Sequence, residues 1–264
     1  MKIWANTIVN NEENFIWFSI MSVVDFVDKV LVWDSGSTDK TVEIINEIKK
    51  IKGNKIELKE VGNVDKYQFT KMRQEMLDES ACDWVLILDG DEIWWEDSIK
   101  KIVKEIQKRG NDIEGIVVPM ILPAGDIFHF QEEVAGRYKI QGREGHLSLK
   151  AFSKKIPGLH VENPYGSEGF FDDQNRPIQE REKIIFLGAS FLHTTHLKRS
   201  GKPRKYDKFK LEIGNAVPEN FNFPEVLYLP PPVLVPSPWV KSSGGAKVIS
   251  QLLTPLRKIK RTLR

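Results

Sequence analysis

Five apolar residues, Trp84 to Leu88, run without a break into Asp89-Gly90-Asp91-Glu92. An unbroken apolar run of this length, closed by turn residues, predicts a strand buried on both faces. Such strands belong to sheets covered by helices on either side. An unpartnered carboxylate is costly to bury, so Asp89 and Asp91 mark the point where the strand leaves the core. Residues two apart on an extended chain point the same way, which aims both carboxylates at one place. Gly90 between them has no side chain to hold a ligand off. Two carboxylates over open space suit a hard divalent cation. Mg²⁺ typically takes one or two of them and completes its shell with water and phosphate oxygens. A plain acidic turn capping a strand fits the same residues.

The rest of the first half supplies the setting. Ile3–Val9 predicts a strand that ends in Asn10-Asn11-Glu12-Glu13-Asn14, and Phe15–Val27 has apolar residues at helical spacing. Lys29–Trp33 is a second strand, ending at Asp34, and Ser35-Gly36-Ser37-Thr38-Asp39 has helix-start chemistry before a helix from Thr41. Lys55–Val61 alternates as a third strand, Asp65–Ser80 and Ser98–Arg109 are amphipathic helices, and Gly115–Met120 is a further strand. Strand, helix, strand, helix at this spacing implies right-handed crossovers and a mostly parallel α/β sheet. Ligands bind beyond the carboxyl ends of such strands, where the strand order reverses. Three polar clusters fall at strand ends here, which raises the metal reading of Asp89 and Asp91 above the plain turn.

Composition narrows the class. The 264 residues carry a net charge of +2, yet Lys241 to Arg264 holds seven basic residues and no acid. The body is therefore acidic, which argues against nucleic acid as a partner. One cysteine, Cys82, excludes a disulfide framework and a cysteine-rich zinc site. No apolar run is long enough to span a membrane, and Met1-Lys2-Ile3-Trp4 leads straight into a strand pattern. A cytoplasmic protein is the expectation.

From Ile121 to Lys183 glycines are frequent and apolar bursts short, which predicts antiparallel strands and loops forming an acceptor-side wall of a cleft. Ile184–Leu192 predicts one more strand, delivering His193 and His196. Residues 1–217 thus form one domain, split near 120 into two halves. A stiff, proline-rich segment over 218–240 serves as a surface strip or spacer, and 241–264 is a basic amphipathic tail.

Asn11-Glu12-Glu13, Asp34-Ser35-Gly36-Ser37-Thr38-Asp39-Lys40-Thr41, Arg73 and the Asp83–Glu92 stretch, in this order and spacing, resemble the family 2 glycosyltransferases of the GT-A fold. The resemblance is good over roughly residues 1–110. It is looser at Leu149-Lys150-Ala151-Phe152 and His160-Val161-Glu162, where bacterial surface-polysaccharide and lipopolysaccharide members tend to have Arg-Leu-Phe and Val-His-Glu. It implies an inverting transfer from a nucleoside-diphosphate sugar to a glycan or lipid-linked hydroxyl in cell-surface glycan synthesis. It also implies that Asn11, Glu13, Asp34, Arg73, Asp89 and Gly90 hold the nucleotide sugar. Asp34 is then at the base, Arg73 at the base or diphosphate, Asp89 at the ribose or a metal-bound water, and Asp91 on the metal. Either His193 or His196 completes the metal shell or is a hydrogen-bonded cleft-wall residue; imidazole favours Mn²⁺ over Mg²⁺.

A carboxylate base is needed to take the acceptor proton. Glu168, set between small residues, is favoured, with Glu162 next and Asp172 and Asp173 as alternatives. Lys198, Arg199, Lys202 and Arg204 fit diphosphate pairing or a solvated loop. Trp94-Trp95 fits either sugar stacking or packing. The tail fits a helix on an anionic membrane surface, a helix docked on the body, or a disordered end. Two rival functions remain at this level: a nucleotidyltransferase, which would carry a glycine-rich basic loop after strand one, and a non-catalytic sugar- or nucleotide-binding module.

Overall fold

The structure is a computed structural model and describes residues 1–197, 212–242 and 244–262. Lys198, Arg199, Lys202 and Arg204 lie outside the described residues. The first half contains β1 (Ile3–Val9), α1 (Ile16–Met21), β2 (Lys29–Asp34), α2 (Thr41–Lys52), β3 (Ile56–Glu60), α3 (Lys66–Glu79), β4 (Trp84–Ile87), β5 (Glu92–Trp94), α4 (Glu96–Arg109) and β6 (Gly115–Ile121). The second half adds β7 (Pro123–Ala124), β8 (Asp126–Phe130), β9 (Tyr138–Ile140), β10 (Arg143–Gly145), β11 (Leu147–Ser153), β12 (His160–Glu162) and β13 (Gly169–Phe171). β14 (Ile184–Phe186), β15 (Phe191–His193), β16 (Asn215–Ala216) and α5 (Gly244–Thr262) complete it.

The central sheet runs β3-β2-β1-β4-β11-β6-β15-β5, with β14 also paired to β6. β1 pairs in parallel with β2 on one side and β4 on the other, so strand order reverses between β1 and β4. Val9 stands opposite Asp34, which brings the polar ends of β1 and β2 to one rim. Local chemistry sets the helices. Asp65 caps α3 by accepting the Tyr67 and Gln68 N–H groups, both at 2.8 Å, and Gln68 answers at the Asp65 N–H. α4 begins with Glu96 and Asp97 and ends with Lys108 and Arg109, matching the helix dipole. Ile99, Ile102 and Ile106 form its buried stripe against a core that also holds Trp84, Trp94 and Phe191. The N-cap of α2 is Lys40, which makes no side-chain cap, and just before it Asp39 Oδ1 accepts the Thr41 N–H at 2.9 Å.

Three features differ from the sequence expectation. β11 is not part of a detached wall; it inserts antiparallel between β4 and β6. Ile184–Leu192 is two short strands, because the chain breaks at 187–190. The 218–240 segment is not a spacer. It folds back and buries Phe223, Val226, Leu227 and Val235, while Trp239 packs on Phe223 at 5.3 Å. Enough of the residues between its prolines are aromatic or aliphatic for packing on the body to win over stiffness.

Candidate functional site

The rim at the strand-order reversal is built from three loops. After β1, Asn11 adopts φ 57°, a left-handed conformation that Asn tolerates. Its Oδ1 accepts the Thr38 N–H at 2.8 Å, and its N–H donates to Ser37 Oγ at 2.8 Å. Glu13 accepts the Lys40 N–H at 3.0 Å, and the Glu12 N–H donates to Thr41 Oγ1 at 2.8 Å. Asn11 and Glu13 therefore brace the loop after β2 against the loop after β1. Asp34, 3% exposed, turns the chain with Oδ2, which accepts the Gly36 and Ser37 N–H groups at 2.9 Å each. Its Oδ1 is buried and has no hydrogen-bond partner among the described residues. Gly36 makes the turn possible: its φ is +88°, and a Cβ there would meet Asn63 Oδ1 at 2.7 Å.

The third loop carries the acids. Residues 89–92 form a turn closed by Glu92 N–H to Asp89 O at 3.1 Å. The extended-chain argument for Asp89 and Asp91 therefore fails. The turn instead brings Asp89 and Glu92 together, with the Asp89 N–H donating to Glu92 Oε2 at 3.2 Å. The Asp89 side chain is 41% exposed, whereas Glu92 is buried and Asp91 turns inward, 3% exposed, to lie 3.4 Å from His193 Nε2. Gly90 has a packing role: a Cβ would meet Glu12 Cγ and Val9 Cγ1 at 3.0 Å.

Carboxylate oxygens of Asp89 and Glu92 and a ring nitrogen of His193 lie within 4.8 Å of one another. A mixed carboxylate and imidazole set of this kind fits a divalent cation, Mn²⁺ better than Mg²⁺. Lys150 limits which acids are free to ligate. Its Nζ donates to Glu92 Oε1 at 2.5 Å and stands 3.8 Å from Asp89 Oδ2. Glu92 is thereby committed to Lys150, so of this set Asp89 and His193 keep donor atoms outside that pair. Burial pushes the Glu92 carboxyl up to about 7 against the pull of Lys150. Burial would also raise Asp89, but the charges of Lys150 and Arg73 outweigh it and hold Asp89 below its ordinary value. Burial would lower His193, and Asp91 outweighs that by charge and hydrogen bond, so the ring is raised.

Sequence reading passed over Lys150 and Glu92. The available signal was a lone cation in Leu147–Ser153, flanked by buried residues. The β11 register shifts between Leu149 and Ala151, and bulges of this kind re-aim side chains beside active sites.

The other expected residues distribute as follows. Arg73 on α3 lies over the Phe69 ring at 5.1 Å, and its Nε is buried without a hydrogen-bond partner among the described residues. Phe69 in turn meets Tyr165 edge-on at 4.6 Å. The β12–β13 hairpin is fastened to α3 by Val161 N–H to Gln74 Oε1 at 2.7 Å and Thr70 Oγ1 to Asn163 O at 2.6 Å. Glu162 and Glu168 ride on this hairpin. Glu162 is exposed, 3.6 Å from His160 Nε2, and Glu168 accepts the Gly166 N–H within its own loop. Asp173 is exposed. Asp172 is unsuitable as a base: it is fully buried and bound by Arg176 at 3.0 Å and Arg181 at 2.6 Å. Trp94 is buried against Phe191 at 4.7 Å, and Trp95 donates to Asn222 O at 2.9 Å. Trp94 is thus core, and Trp95 is a partner of the folded-back segment. His196 is buried, and His193 is the histidine that joins the acids.

Residues 7–162 match the sequence profile described as Glycosyl transferase family 2. The chain belongs to glycosyl transferase family 2. Curated proteins show no significant match. Among solved structures, S. aureus TarS residues 1–349 in complex with UDP-GlcNAc is 17% identical, covering 76% of this chain and 60% of that one, with a TM-score of 0.50. The same TarS segment in complex with UDP is 16% identical over 74% of this chain and 60% of that one, with a TM-score of 0.47. This chain thus spans about three-fifths of the TarS segment, and at this identity the likeness to the first is one of fold. Membership of a glycosyltransferase family sets the nucleotidyltransferase reading aside. The position of the acids at the β1–β4 reversal agrees with a GT-A-like sheet.

Proposed function

We propose that this glycosyltransferase is inverting and metal-dependent, moving a sugar from a nucleoside-diphosphate sugar to a hydroxyl on a glycan or lipid-linked acceptor in cell-surface glycan synthesis. The observation that carries the reading is a pair of buried polar atoms without partners, Asp34 Oδ1 and Arg73 Nε, on elements beside the exposed Asp89. Buried polar atoms are nearly always satisfied, so orphans near a rim of charge support a missing ligand with donors and acceptors of its own. A nucleotide base offers N–H groups to Asp34, and a diphosphate or ribose offers oxygens to Arg73. TarS binds UDP-GlcNAc and UDP, so UDP-sugars are the first donors to test and GDP-sugars the second.

A divalent cation held by Asp89, Asp91 and His193 would offset the charge that develops on the departing diphosphate. Lys150 keeps the acid turn in shape by neutralising Glu92. The acceptor oxygen bonds to the anomeric carbon as the carbon–phosphate oxygen bond breaks on the opposite face, and its proton goes to a carboxylate. Glu168 is the first choice for that base and Glu162 the second, because both stand on the hairpin fastened to the Arg73 helix. The test is transfer or hydrolysis of labelled UDP- and GDP-sugars with and without Mn²⁺, on the wild type and on Glu168→Gln and Glu162→Gln. The reading expects metal-stimulated turnover that one of the two substitutions removes. Turnover indifferent to metal chelation, or unchanged in both variants, contradicts it.

A further inference from the structure

Helix α5 docks on the body by its polar face. Ser250 and Thr254 are buried, and Thr254 Oγ1 accepts the Ile213 N–H at 3.0 Å. Arg261 reaches Glu132 at 3.0 Å and Glu212 at 2.6 Å, and Lys258 reaches Glu132 at 3.1 Å. The other face carries Val248, Ile249, Leu252, Leu256 and Ile259, each between 46% and 69% exposed. At 3.6 residues per turn these five fall within an arc of about 100°. A helix that merely covered a soluble domain would be seated the other way round, apolar stripe inward. The ion pairs hold this one with its stripe outward, at the cost of contiguous apolar surface in water.

Charge decides what covers the stripe. Residues 241–264 contain seven cations and no acid, and the described ion pairs of Arg257, Lys258 and Arg261 use two acids, Glu132 and Glu212. A positive surplus remains. Two copies of the helix packed stripe to stripe would bring this surplus together with no acid in either tail to relieve it. A bilayer carrying anionic headgroups relieves it and takes up the apolar side chains in the same contact. No described helix is long and apolar enough to cross a membrane, so α5 is suited to the interfacial plane. We infer that α5 seats the protein on an anionic bilayer surface, with Leu252, Leu256 and Ile259 entering the headgroup boundary and the ion pairs to Glu132 and Glu212 fixing the body above it. The inference stands on α5 alone and does not depend on the donor or metal proposed above.

The test is sedimentation of the full chain with vesicles of equal parts phosphatidylcholine and phosphatidylglycerol, and with phosphatidylcholine alone. Wild type is expected to sediment with the anionic vesicles and far less with the neutral ones. The triple variant Leu252→Ser/Leu256→Ser/Ile259→Ser is expected to lose at least ~tenfold in partitioning, with its melting temperature unchanged because these side chains touch solvent. Failure of wild type to bind, or equal binding by the variant, overturns the inference. So does a lipid-free wild-type dimer, seen by sedimentation velocity, that the triple substitution dissociates; the stripe is then a seam between two copies.

Discussion

Two of the carboxylate and cation knots among the described residues, around Asp172 and around Asp89, are built to opposite specifications. Around Asp172 every acceptor is used. Oδ1 takes the Gln174 and Arg176 N–H groups at 3.1 and 3.0 Å, Oδ2 takes Arg176 and Arg181, and Arg181 turns its remaining nitrogens to Glu114 at 2.7 and 3.0 Å. Around Asp89 the side chain is open to solvent, and β2 and α3 leave Asp34 Oδ1 and Arg73 Nε unmatched among the described residues. A saturated knot has nothing left to offer a ligand and contributes to stability. An unsaturated one gives up stability for unspent hydrogen-bonding and charge.

The sharpest way to break this contrast is Asp89→Asn. Turnover per KM should fall by about 10³, roughly 4 kcal/mol of barrier, while the melting temperature moves by less than about 2 °C. Steady-state kinetics beside calorimetry check it; a melting temperature that collapses along with activity would make the acid turn structural. Lys150→Met comes next, because it strands a Glu92 carboxylate that is 1% exposed. A drop in melting temperature on the order of 10 °C is expected, as when one partner of a buried pair is removed. Adding Glu92→Gln should recover most of the drop without restoring full activity.

Arg181→Met should lower the melting temperature by about 5–10 °C, with turnover within about threefold of wild type. A large kinetic defect would move the Asp172 knot into the site. The smallest effect is in acid. The Arg181 hydrogen bond holds Glu114 below its ordinary 4.5, and the Arg176 and Arg181 contacts outweigh burial and hold Asp172 well below its ordinary 3.8. Both folded values are depressed, so the stability they supply is complete above those ordinary values and fades as pH falls below them. Melting curves from pH 7 to pH 3 should therefore fall less steeply in Arg181→Met than in wild type.

The same contrast explains what was legible in the sequence. Asp34, Asp89 and Asp91 were visible because each follows a buried strand, and a parallel sheet collects strand ends at one rim. Their neighbours in the chain place them. Lys150 and Asp172 were not visible in their roles, because their partners lie far away in the chain: Lys150 meets Glu92 58 residues distant, and Arg181 meets Glu114 67 residues distant. The insertion of β11 between β4 and β6 is likewise a long-range pairing that no local pattern specifies. The proline-rich segment stayed open between a surface strip and a spacer because backbone stiffness is written in composition, whereas the docking of Phe223 and Trp239 depends on Phe128 across the fold. For α5 the amphipathic pattern was plain, but its outward-facing stripe follows from Glu132 and Glu212, which the pattern does not contain.

The most direct measurement is the melting temperature of wild type and Asp34→Ala with UDP- or GDP-sugars and Mn²⁺. A ligand bound only by the folded state raises it in proportion to the logarithm of its concentration. A rise of several degrees in wild type with at least one nucleotide sugar, lost in an Asp34→Ala protein that folds normally, is the predicted result. No rise with any nucleotide sugar and any divalent ion, or the same rise in the variant, would contradict it.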